Sequence, residues 1–96
     1  MATYVVVSNW TEQGVKNVKD TIQRMQQFRS NCEQRGIKVL SYYWTQGRYD
    51  NVVILEAPDE TTVMATLLAS ALKGAVHTET LRAFSEAEMS AILQKV

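Results

Sequence analysis

Two segments of this 96-residue chain carry apolar side chains on consecutive positions, Val5-Val6-Val7 and Val52-Val53-Ile54-Leu55. Alternate residues of a strand point to opposite faces, so neither segment can be a strand with one wet side. Both must lie at the centre of a sheet that is covered front and back. The rest of the chain has to supply those covers.

The first segment reads as a strand over Tyr4 to Asn9. Val15, Val18, Ile22, Met25, Phe28 and Cys32 then recur at spacings of three and four, one stripe of an amphipathic helix. Gly36 stops it, and either Thr11 or the pair Asp20 and Thr21 starts it. Ile37 to Trp44 reads as a second strand, Thr45-Gln46-Gly47-Arg48 as a hairpin turn, and Tyr49 to Ala57 as a third strand. Pro58-Asp59 leads into a second helix with Val63, Leu67, Leu68, Ala71 and Leu72 on its stripe and Gly74 at its end. Ala75 to Phe84 makes a fourth strand. Ser85 and Glu88 then fit a capping box that opens a short last helix, with Phe84 and Met89 placed as a hydrophobic staple.

The order β-α-β-β-α-β predicts one α+β domain over 1–96, of the ferredoxin-like kind, with a four-stranded antiparallel sheet. In that topology the first and third strands are the inner two, and these are the two apolar on both faces. Both long helices cover the same side. The other side needs the last helix, a ligand or a second copy of the chain, since contiguous apolar patches of several hundred Å² are rarely left bare. A homodimer with sheets face to face, or a larger homo-oligomer, is the expectation.

Charge and composition exclude some classes. Lys and Arg number ten, Asp and Glu ten. The first fifty residues hold seven basic and four acidic side chains, the remainder three and six, too mild an asymmetry for a nucleic-acid or acidic-membrane partner. No window approaches the roughly 20 apolar residues of a membrane span, and the start lacks a basic leader, so a cytoplasmic protein is expected. One cysteine, Cys32, and one histidine, His77, make no metal-ligand set, and no cofactor motif is present; neither a metal nor a cofactor is expected.

The candidate functional residues gather near strand ends. Tyr42, Tyr43, Trp44 and Tyr49 flank the hairpin, with Tyr42 and Trp44 on one face and Tyr43 on the other. They serve either as packing or as a wall for a flat ligand. His77 has a near-neutral proton to exchange and is a candidate base or haem ligand, against the simpler reading of a hydrogen-bonded strand residue. Asp50, Glu79 and Arg82 lie at or within strands and call for ion-pair partners, or for a carboxylate of raised pKa. Asn9, Trp10 and Thr11 follow the first strand and either line a cleft or plug the end of the core.

Five segments in this order resemble the GYD-domain family of small bacterial proteins: Asn9-Trp10-Thr11, Asn17 to Thr21, Tyr43 to Asp50, Glu56 to Glu60 and Thr78 to Phe84. The name reflects Gly47, Tyr49 and Asp50. The chain departs from the family at Ile22, often proline, and at His77, often arginine. The resemblance implies a dimeric α/β barrel, and the family has no established activity to carry over. By analogy of fold it leaves open two readings. One is a binding or structural module that encloses a small apolar or aromatic molecule between paired sheets, bordered by Asn9, Trp10, Trp44, Tyr49, Asp50, His77, Glu79 and Arg82. The other is a cofactor-free monooxygenase with His77 and Asp50 as its weak catalytic candidates.

Overall fold

A computed structural model describes residues 1–96. Four strands, β1 (Ala2–Trp10), β2 (Lys38–Trp44), β3 (Asn51–Ala57) and β4 (Val76–Ala83), form one antiparallel sheet in the order β2-β3-β1-β4. The inner pair is β1 and β3, as their doubly apolar sequence requires. Their register sets Tyr4 opposite Leu55, Val6 opposite Val53 and Ser8 opposite Asn51. These residues, with Ala57, are buried on the side that carries the helices. There they meet Cys32, Ile37, Val63 and Leu67 in one core.

The helical region after β1 is broken in three. Helix α1 (Glu12–Lys16) is capped by Thr11, whose side chain accepts from the Gly14 N–H. A 3₁₀ turn at Val18–Asp20 follows, and α2 (Thr21–Gln34) then runs over the sheet. Both starts suggested by the sequence are used. The break shifts the helical phase, so Val15 and Ile22 leave the core and are exposed, while Phe28 and Cys32 stay on it. Cys32 is fully buried, and burial pushes its thiol up to about 11, with Arg35 pulling the other way. Gly36 ends the helical run at φ +77°, a conformation glycine adopts without a steric cost.

Helix α3 (Glu60–Ala71) begins at Asp59, whose side chain accepts from Thr62 N–H at 2.7 Å. That bond holds the Asp59 carboxyl below its ordinary range. Val63, Thr66 and Leu67 face the core, but Leu68 and Leu72, which share its predicted stripe, point outward with Met64. Helix α4 (Glu86–Leu93) shows the predicted capping box of Ser85 and Glu88. The Ser85 N–H and Arg82 together lower the Glu88 carboxyl. No residue of α4 is buried, and it packs closely against no other element. Its projection fits the long axis of 49 Å and the radius of gyration of 14.4 Å, where a compact chain of this length has about 12–13 Å. The chain thus has the ferredoxin-like fold. No helix is long and apolar enough to cross a membrane.

Candidate functional site

The sheet divides the candidate residues between two sides. Register carries one row across the face without helices: Leu81, Val5, Ile54 and Ser41. The next row is Glu79, Val7, Val52 and Tyr43. Val5, Val52 and Ile54 are half-buried by their neighbours alone, while Leu81 and Tyr43 are 49% and 61% exposed. The centre of this open face is therefore apolar, and polar side chains edge it.

Asn9 and His77, paired across β1 and β4, lie at one end of that face. Glu79 stands beside them. Tyr49 reaches over the same face, and its hydroxyl donates to Glu79 at 2.9 Å. Because β1 runs between β3 and β4, this bond crosses β1 near Val7, which pairs with Glu79 and is buried. The bond to Glu79 also raises the Tyr49 phenol above its ordinary value. Arg48 stacks on the Tyr49 ring, 5.5 Å from its centre.

The other four lie elsewhere. Asp50 sits in the loop before β3, where Oδ2 accepts from the Trp10 N–H at 2.9 Å and its own N–H donates to the Ser8 carbonyl. It joins the end of β1 to the start of β3 through the backbone, with no ion pair. Trp10 and Trp44 are on the helix side by register. Trp44 Nε1 donates to Thr21 Oγ1 at 3.0 Å, and its ring lies 5.1 Å from Tyr42, which meets Phe28 edge-on at 6.5 Å. These aromatics bind α2 to β2. Arg82 also points to the helix side, over Tyr4 and Phe84, and pairs with Glu88 at 3.0 Å. The structure brings Asn9, Tyr49, His77 and Glu79 together and separates them from Trp10, Trp44 and Arg82 by the thickness of the sheet.

A feature outside the predicted set lies under the helices. A cleft of about 200 Å³ opens between α2, α3 and the sheet. Asn51 lies on its floor, 2% exposed, and neither Nδ2 nor Oδ1 has a hydrogen-bond partner. The signal for it was present in the sequence. Ser8 and Asn51 are the polar members of two strands at positions in phase with the core side.

Comparison with known proteins gives three results. Residues 4–93 match the family described as GYD domain. A Thermus thermophilus protein named glutamine synthetase and cystathionine beta-lyase binding protein is 33% identical over 95 residues, 98% of this chain and 100% of that protein. The crystal structure of MtbAldR superposes with a TM-score of 0.67 at 14% identity, over 88% of this chain and 52% of that one. The chain spans about half the length of that protein, and the likeness is one of fold.

Proposed function

The chain belongs to the GYD-domain family, and on that premise we propose that it is a homo-oligomeric binding module: its open sheet faces pair with each other, and its outer helical surface docks a second protein. The observation that carries this reading is apolar surface left bare on both layers of the protomer. On the sheet it is the row through Leu81, Val5 and Ile54. On the helices it is Met64, Leu68 and Leu72, spaced by four along α3 and 59%, 55% and 89% exposed. A single patch needs a single partner; two on opposite layers serve two.

The sheet face suits a second copy, because a two-fold axis sets the same apolar row against itself at the roughly 10 Å spacing of packed sheets. Helix α4 has Met89, Ile92 and Leu93 along one side, and it supports this pairing as an arm laid on the partner copy. Asn9, Tyr49, His77 and Glu79 border the space so enclosed, where a small apolar or aromatic molecule fits. The relative whose whole length this chain covers is named for binding two enzymes, which supports a protein as the occupant of the α3 stripe. The oxygenase alternative gains nothing from the geometry, since Asp50 is engaged by the Trp10 N–H and no hydrogen bond joins it to His77.

Surface plasmon resonance against glutamine synthetase and cystathionine β-lyase from the same organism tests the docking half. The wild type binds at least one of them. Met64→Glu with Leu68→Glu, on a surface the protomer leaves wet, weakens binding by roughly tenfold or more and leaves the mass of the assembly unchanged. No binding to either enzyme, or equal binding by the variant, contradicts the assignment.

A further inference from the structure

The cleft beneath α2 and α3 lies on the side of the sheet away from the open face. Its floor is a polar row inside an apolar layer. Register aligns Asn51 on β3, Ser8 on β1 and Thr78 on β4 side by side, and all three line the cleft. The adjacent row toward the core is Val53 and Val6. A buried carboxamide with no partner for its donor or its acceptor is costly, and native chains keep such groups where something else completes them. Here both halves of the Asn51 amide are unpaired. Burying Ser8 beside it adds a second polar group to a wall that needs none for packing.

The walls and mouth restrict what can enter. Phe28, Tyr42 and Trp10 present flat apolar surface. Arg24 on α2 and Lys73 beyond α3 stand among the lining residues, which include no carboxylate. Neither cation has a salt-bridge partner, since Arg82–Glu88 is the single ion pair of the chain. The volume of about 200 Å³ is small beside the roughly 300–1,000 Å³ of sites for drug-sized molecules.

We propose that this cleft binds a small planar molecule that carries an amide- or imide-type donor–acceptor edge and an anionic group. The edge pairs with the Asn51 carboxamide, as asparagine pairs with a base edge through one donor and one acceptor. The ring lies between the aromatic walls, and the anion reaches Arg24 and Lys73 at the mouth. The site is independent of self-association, so a monomeric protein would leave it standing.

Three probes separate its parts: orotate has the ring, the imide edge and the carboxylate; uracil lacks the carboxylate; benzoate lacks the edge. Amide-resolved NMR titration of the full chain reads each of them. Orotate at millimolar concentration is expected to give saturable shifts at the Asn51 side-chain NH₂ and at Trp10, Phe28 and Leu67. Uracil and benzoate are each expected to bind roughly tenfold more weakly. Asn51→Leu, close in volume, is expected to abolish binding of orotate and uracil alike. Arg24→Gln with Lys73→Gln, both near the surface, is expected to weaken orotate to the level of uracil and leave uracil unchanged. This second variant keeps the test sound if Asn51→Leu misfolds. Absence of saturable shifts with every probe, shifts that map to the open sheet face, or unaltered orotate binding in either variant overturns the proposal.

Discussion

Ile54→Glu combined with Leu81→Glu is expected to turn the assembled protein into a folded monomer. The two side chains flank Val5 on neighbouring strands of the open face, so they lie about 10 Å apart across two strand spacings. In a lone protomer that face is in water. Two carboxylates there, about a Debye length apart at physiological salt, repel each other only weakly. Single surface changes of this kind are usually within about 0.5 kcal/mol. Between paired sheets the same four carboxylates, two from each copy, lose their water and face like charge. Such juxtaposition costs several kcal/mol, which is a factor of a hundred or more in the dissociation constant. Sedimentation velocity with wild type and variant side by side measures the shift, and thermal unfolding by circular dichroism checks that the protomer fold persists. A variant that stays assembled shows that another surface holds the copies together.

Gly14→Ala is expected to be the most damaging single methyl group in the chain. Alanine normally stabilises a helix interior by about 1 kcal/mol over glycine, and the Gly14 backbone has no positive φ that would oppose it. Space decides the sign instead. A Cβ at this position would overlap the Ala75 carbonyl oxygen and stand 3.2 Å from Trp10 Cβ. That oxygen accepts the Thr11 N–H at 3.0 Å, and the Thr11 hydroxyl donates to the Gly74 carbonyl beside it. These bonds fasten α1 to the start of β4. The obstacle is backbone, which has no rotamer to escape into, so α1 must lift and release them. Overpacking and two weakened bonds together outweigh the helix gain by roughly 2–4 kcal/mol. For a domain of this size that lowers Tm by on the order of 10–20 °C. Differential scanning calorimetry reads it. An unchanged or higher Tm would show that α1 moves freely and is no part of the structural lock.

What the sequence revealed follows from the reach of each signal. Strand order was legible because Val5-Val6-Val7 and Val52 to Leu55 must be central, and alternation correctly sends Tyr42 and Trp44 to one face and Tyr43 to the other. The capping box at Ser85 was legible because it is local, four residues from end to end. The resemblance to the GYD-domain family rested on five spaced segments and is matched over residues 4–93. Other features depended on what lies far away in sequence. Val15 and Ile22 continue a helical spacing, yet the 3₁₀ turn between them rotates both out of the core. Leu68 and Leu72 are as apolar as Leu67, and the way α3 is turned on the sheet, with Val63, Thr66 and Leu67 inward, leaves them outside. Gly14 is legible only once Ala75 is placed against it.

The site residues divide along the same line. Tyr49 and Glu79 are thirty positions apart and met across β1, while Asp50 found a backbone N–H forty positions away in place of a charged partner. Residues judged by type alone lie on two sides of the sheet, and all but Arg82, which is level with Tyr4, gather at one end of it. By type alone Asn51 is an ordinary polar residue inside the predicted strand Tyr49 to Ala57. Its burial, without a partner, is what gives it meaning.

Sedimentation equilibrium of the unmodified protein at micromolar concentration reads whether a second copy of the chain covers the bare side of the sheet, as proposed. The expected mass is at least that of two 10.9-kDa chains. A single species of one chain, with Leu81 and Tyr43 in water, would contradict it.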